Sequence, residues 1–292
     1  ARILSGVDIV IASVTPRYGI EFFRNNSDVK LIVRHGIGVD NIDVDAATES
    51  GIVIARVPGV VERESVAEHT ITLILAALRK VAKAHEYVVK GKWNERAKFI
   101  GTELAGKTVG IIGLGNIGSR VAEILINGFN AKVLAYDPYA SKEKAEKLGV
   151  KLIDLDMLLK NSDIISLNCS LTKETYHMIN YNAFKLMKKG VILVNTARGE
   201  LIDTNDLIKA IEEGIVAVVA LDVIENEPIS EDHPLLKFDN VIITPHIAAY
   251  TTEALRGMDE AVVKAIKDFI DGKVPEGIVN REVYEKGLRR SS

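Results

Sequence analysis

The sequence predicts an α/β protein of two parallel-sheet domains, the smaller one discontinuous along the chain. Three observations predict it. Short Val- and Ile-rich runs alternate with amphipathic segments over nearly the whole length, the pattern of parallel strands joined by crossover helices. Near the middle, KTVGIIGLGNIG (107–118) joins one such run to a helical segment through a glycine-spaced turn. A long amphipathic segment, TEALRGMDEAVVKAIKDFIDG, carries the chain away from the last strand, while the N-terminal strands need a covering helix. The two ends are therefore expected to pack together.

Composition narrows the class. Of 292 residues, 47% are hydrophobic and 26% charged, which is globular and supplies apolar material for two cores. The net charge of −3 and the absence of a long Lys/Arg run argue against a nucleic-acid partner and favour a small molecule. The single cysteine, Cys169, excludes an intramolecular disulfide, leaves no zinc cluster, so no metal is expected, and fits a cytoplasmic location. The apolar runs fall short of the ~20 residues that span a bilayer, so no membrane partner is expected. Ala1 rather than Met opens the chain, consistent with a start inside a longer one.

In order, strands are expected at 8–12, 30–34 and 52–55, with short helices at 18–25 and 43–50 and a glycine-rich loop, HGIGVDNID, after the second strand. One long helix follows from Glu64 through VAEHTITLILAALRKVAKAHEYVVKGKW, whose broad apolar band suits burial between domains or subunits. His69 and His85 on it read as packed or solvated helix residues. Asn94 to Leu104 forms a loop. After the glycine turn, strands are expected at AKVLAYD, 163–168, 190–195, 215–222 and 240–244, with helices near 141–148, 155–160, 183–187 and 204–213. With the strand before the turn this makes six in a doubly wound sheet. PEGIVN reads as a terminal extension.

The glycine turn carries the first chemistry. Gly113, Gly115 and Gly118 have the G-x-G-x-x-G spacing of a Rossmann-like dinucleotide turn, in which tight turning, close approach to a pyrophosphate and close helix packing each need a glycine. Asp137 ends the next strand about twenty residues beyond Gly118, where a carboxylate accepts from ribose hydroxyls and repels a 2′-phosphate. NAD is the expected cofactor. In such sheets ligands lie beyond the carboxyl ends of the strands, and three later ends carry reactive groups: Arg198, Asp222 with Glu225 and Glu227 just beyond, and His246. An arginine fork binds a carboxylate through two parallel hydrogen bonds. A histidine moves a hydroxyl proton while hydride is transferred, and a nearby carboxylate orients it and stabilises its protonated form.

The ordered motifs GLGNIG, NTARGELID, LDVIENEP and TPHIA, over nearly the whole chain, resemble the D-isomer-specific 2-hydroxyacid dehydrogenases. HGIGVDNID, VAEHT and GKWNERAKFIGTEL also resemble that family, and most of all its members that oxidise D-3-phosphoglycerate to 3-phosphohydroxypyruvate for serine biosynthesis. The resemblance implies a flavodoxin-like substrate domain at 1–64 and 252–292, without the strand and helix that usually open it, and an NAD domain at 65–251. It implies Arg198 as the substrate-carboxylate anchor, Glu227 rather than Glu225 as the histidine's partner, and His246 as acid or base. Cofactor contacts are implied at Asn116, Ile117, Cys169, Ser170, Thr196, Ala197 and Asp222, the last through the nicotinamide amide. Ile37 and Gly38 would face the substrate, Arg34 or a partner subunit's Arg96 or Lys98 would neutralise a phosphate, and a cleft between domains would close on the substrate. A homodimer with the long helix in its interface is implied. Ala12 stands where an arginine is common, and Cys169 and Ser170 where threonine and proline are common. Glyoxylate or hydroxypyruvate reduction, and NAD-sensing corepression without turnover, are the alternatives the same motifs allow.

Overall fold

A computed structural model describes residue 4 and residues 6–290. The chain divides into two compact units, residues 1–62 with 250–292 and residues 63–249.

The first unit opens with strand β1 (Ile9–Ala12), helix α1 (Ile20–Asn25), β2 (Leu31–Arg34), α2 (Val44–Glu49) and β3 (Val53–Arg56). The strands pair in parallel in the order β1-β2-β3. Leu31, Ile32, Val33 and Ile54 are fully buried, as continuous apolar runs in a parallel sheet require. Asp43 caps α2 by accepting from the Ala46 N–H at 3.0 Å, satisfying an otherwise orphaned donor.

The second unit begins with α3 (Arg63–Arg79) and α4 (Val81–Val89), then a 3₁₀ turn at Trp93–Phe99. Next come β4 (Thr108–Ile112), α5 (Asn116–Phe129), β5 (Lys132–Tyr136), α6 (Lys142–Lys147), β6 (Lys151–Leu152) and α7 (Leu155–Asn161). The second half holds β7 (Ile164–Leu167), α8 (Tyr181–Leu186), β8 (Val191–Asn195), α9 (Thr204–Glu212), β9 (Val216–Leu221) and β10 (Val241–Ile243). All seven strands are parallel, in the order β10-β9-β8-β7-β4-β5-β6. Strand order reverses between β4 and β7, the switch point at which such sheets open a crevice. One core layer gathers Ile74, Ile111, Val121 and Leu125, and the other Leu158, Phe184, Leu193 and Leu207.

The chain then returns to the first unit through α10 (Thr252–Ile270) and α11 (Arg281–Arg290). The α10 face Ala254, Met258, Val262 and Ala265 is buried, and the helix packs against β2. Between the two helices, buried Asn280 fastens the chain to β3: its carbonyl accepts from Ile54 N–H at 2.7 Å and its amide donates to Ile52 O at 2.9 Å.

Three expectations are corrected. The long helix from Glu64 is two helices, because Lys80 turns left-handed at φ 54°; the Leu78 carbonyl, in the last turn of α3, receives the Thr102 N–H at 3.2 Å, and a Cβ on Gly101 would come within 2.3 Å of that oxygen. A seventh strand, the two-residue β6, pairs with Leu134 and Ala135. PEGIVN leads into a further helix, α11, whose Tyr284 packs edge-on to Phe269 at 6.5 Å between ring centroids.

Candidate active site

At the end of β4 the three glycines have different surroundings. Gly113 sits at φ 94°, and a Cβ there would lie 2.6 Å from the Cys169 backbone nitrogen; a Cβ on Gly118 would lie 2.0 Å from the Gly113 carbonyl. Both are closed by backbone, so the turn tolerates no side chain at either position. Gly115 caps the fourteen-residue α5, and a Cβ on it would meet nothing within 4 Å. Open space at the positive end of a helix dipole, with exposed Asn116 and half-buried Ile117 in its first turn, fits a pyrophosphate. Asp137 holds the turn from the adjacent strand end, accepting from Leu114 N–H and Tyr139 N–H, each at 2.8 Å.

Across the switch point, the backbone of Cys169 abuts Gly113, and burial, aided by the Asp137 charge, pushes the Cys169 thiol up to about 11. Ser170 is exposed, and its carbonyl accepts from Thr175 Oγ1 at 2.8 Å. After β8 the Thr196 hydroxyl is spent inside the protein, 2.8 Å from Thr70 Oγ1 on α3. Half-buried Ala197 gives its carbonyl to Arg198 Nη1 at 2.6 Å, and Asn195 Nδ2 donates to the Arg198 carbonyl at 2.7 Å. The next residue, Gly199, has no room for a Cβ, which would fall 2.1 Å from the Ile224 carbonyl carbon. The arginine turn and the loop after β9 therefore interlock.

That loop separates the two candidate glutamates. Glu227 Oε2 lies 2.7 Å from His246 Nδ1, while its Oε1 accepts from Ile224 N–H at 2.8 Å. Glu225 instead reaches His177 Nε2 at 2.6 Å and the Thr204 N–H at 2.9 Å. Among the described residues no hydrogen bond engages His246 Nε2.

His246 is held at φ 55°, and Asp222 is the reason. Its Oδ1 accepts from Thr244 Oγ1 at 2.6 Å and Ile247 N–H at 2.9 Å, its Oδ2 from Ala248 N–H at 2.8 Å, and its carbonyl from His246 N–H at 2.9 Å. Asp222 is 1% exposed. Burial pushes its carboxyl up, but the hydrogen bonds from His69, Thr244, Ile247 and Ala248 prevail and hold it below the ordinary value. Both oxygens accept hydrogen bonds from the loop that carries His246. His69, expected as a packed or solvated helix residue, is packed: its Nε2 lies 3.0 Å from Thr244 Oγ1 and 3.4 Å from Asp222 Oδ1. A histidine in the second turn of a helix gives no sequence signal for that contact. His85, by contrast, is exposed.

In the other unit, Arg34 lies beneath the glycine-rich loop that follows β2. It is 6% exposed and donates to the His35 carbonyl, and a Cβ on Gly36 would lie 2.5 Å from its Nη1. It shapes the Gly36–Gly38 loop from within. Ile37 and Gly38 are half-buried, and Arg56, in register with Arg34 on β3 and exposed, donates to the Ile37 carbonyl at 3.1 Å.

The model of the D-isomer specific 2-hydroxyacid dehydrogenase NAD binding domain matches residues 71–248. D-3-phosphoglycerate dehydrogenase of Archaeoglobus fulgidus is 48% identical over 93% of the chain, which spans about half (51%) of that relative's length. Glyoxylate reductase of Thermococcus litoralis is 40% identical over 95% of this chain and 85% of its own. Among solved structures, D-lactate dehydrogenase of Aquifex aeolicus, complexed with NAD and lactic acid, superposes with a TM-score of 0.88 at 36% identity, covering 96% of this chain and 88% of that one. The fold and these matches define an NAD-dependent oxidoreductase. More specifically, the chain belongs to the D-isomer-specific 2-hydroxyacid dehydrogenases. Among the described residues no helix is long and apolar enough to cross a membrane.

Proposed function

We propose that the chain oxidises D-3-phosphoglycerate to 3-phosphohydroxypyruvate, the first step toward serine, with His246 and Glu227 as the acid–base pair. The observation that carries the chemistry is the 2.7 Å contact between His246 Nδ1 and Glu227 Oε2. A carboxylate only accepts, so the ring nitrogen facing it carries the hydrogen and Nε2 is left to take the hydroxyl proton. Arg198 binds the substrate carboxylate with its planar fork. Gly113, Gly115, Asn116, Ile117, Gly118 and Asp137 would hold NAD, with the residues 169–170 and 196–197 along its length, and Asp137 favours it over a 2′-phosphorylated cofactor. NAD, when bound, supplies the hydride acceptor.

The 48% identity to a phosphoglycerate dehydrogenase over 93% of the chain supports the substrate. Glyoxylate reduction is the second reading, favoured by relatives of which the chain covers 85%. Comparing kcat/KM for 3-phosphohydroxypyruvate and glyoxylate separates the two. Preference for the phosphorylated acid is expected; turnover of glyoxylate alone would refute the substrate assignment. A homodimer is proposed as well, because α4 and the turn after it expose Val89 (72%), Trp93 (67%) and Ile100 (77%).

A further inference from the structure

A second histidine–glutamate pair lies beside the first. His177 is held at φ 50° with its N–H on the Glu200 carbonyl at 2.9 Å and the Tyr176 ring stacked on it at 4.0 Å. Its Nε2 contacts Glu225 Oε1 at 2.6 Å and its Nδ1 lies 3.3 Å from Asp203 Oδ2. Glu225 completes its bonding at the N-terminus of α9, through both the N–H and the hydroxyl of Thr204. Asp203, in turn, caps α9 by accepting from Asn205 and Asp206 N–H, each at 3.0 Å. The Glu225 side chain is 16% exposed, so its charge is answered within the protein. One residue beyond it, Asn226 turns the chain at φ 59°, and Glu227 then bonds His246.

We propose that His177 is a positioning residue for the proton-transfer pair: through Glu225 and Thr204 it clamps the loop between Ile224 and Glu227, and so fixes the Glu227 carboxylate against His246 Nδ1. The inference rests on the assignment of His246 and Glu227 made above. Its physical basis is the shortness of the lever. Glu225 and Glu227 are two residues apart, Ile224 N–H holds the second glutamate at 2.8 Å, and the Gly199 backbone closes the other side of the loop. A small rotation of this turn would move the Glu227 carboxylate relative to the imidazole, and proton transfer is sensitive to such displacement.

A double-mutant cycle tests this, using His177→Gln and Glu227→Gln alone and together. The assays are kcat with the better of 3-phosphohydroxypyruvate and glyoxylate, NADH binding by fluorescence, and the ring ¹⁵N signals of His246. With Glu227 present, His177→Gln is expected to lower kcat about tenfold, a fraction of the whole acid–base contribution, to leave NADH affinity unchanged and to shift the His246 ring signals. With Glu227 already replaced, it should have no further effect on kcat. Thr204→Val, which removes one donor from Glu225 and leaves the backbone bond, should act in the same direction and more weakly. Equal losses in both backgrounds, or unaltered His246 signals in His177→Gln and Thr204→Val, would overturn the clamp. If Glu227→Gln itself left kcat and the His246 signals unchanged, the assignment of the acid–base pair would fail instead.

Discussion

The protein contains two histidine–glutamate pairs on neighbouring loops, and they are built differently. His177 is engaged on both ring nitrogens, by Glu225 and Asp203, and its side chain is 26% exposed. His246 is engaged on Nδ1 alone and its side chain is 36% exposed. Both sit at positive φ, a conformation unusual for such residues and sustained only where surroundings enforce it. A histidine with a carboxylate against each ring nitrogen is a strut. One bonded at a single end, with no hydrogen bond to its other nitrogen among the described residues, can carry a proton.

The largest expected effect separates the two directly. His246→Gln should lower kcat by about 10² to 10⁴ with NADH affinity retained, an order of magnitude or more beyond the loss from His177→Gln. Comparable losses would erase the distinction. Next is Gly199→Ala, which forces a methyl group into the Ile224 backbone and presses on the loop that both pairs share. A destabilisation of about 1–3 kcal/mol is expected, read as a lowered Tm together with reduced kcat. An unchanged Tm would mean that the interlock is loose.

Acid sharpens the comparison from the side of His246. The Asp222 carboxyl titrates below its ordinary value of 3.8, so its contribution to stability is complete above that value and is lost as pH falls through the lower native one. Tm should therefore drop steeply in that acidic window for the wild type and less steeply for Asp222→Asn, whose Tm at neutral pH is already lower. Parallel curves would remove Asp222 from the account of the His246 loop. The smallest effect concerns Cys169, whose thiol titrates at about 11. Native protein at pH 8 should react with iodoacetamide far more slowly than unfolded protein, since the thiolate is the nucleophile; equal rates would contradict its burial against the glycine turn.

Much of this was legible in the sequence because its signals are local. Alternating apolar runs located the strands of both sheets to within one or two residues, and the glycine spacing located the turn whose closed and open positions the structure resolves. The preference for Glu227 over Glu225 came from family resemblance, and the structure separates the two by their partners. What sequence did not reveal depends on distant contacts. A lysine carries no mark of the left-handed turn at position 80, which goes with the Thr102 bond and the Gly101 approach to the Leu78 carbonyl. β6 is two residues long, too short for any periodicity. Arg34 is expected at a substrate phosphate, and its place beneath the Gly36–Gly38 loop carries no sequence signal. His69 and His177 acquire their partners only when α3 meets the Asp222 loop and the segment before α8 meets the Glu225 loop.

The most direct test of the central claim is the tautomer of His246, read from long-range ¹H–¹⁵N correlations of its neutral imidazole. If Glu227 orients the ring for proton transfer, the hydrogen resides on Nδ1, Nε2 is bare, and Glu227→Gln abolishes that preference. A ring protonated on Nε2, or one indifferent to Glu227, would contradict the account.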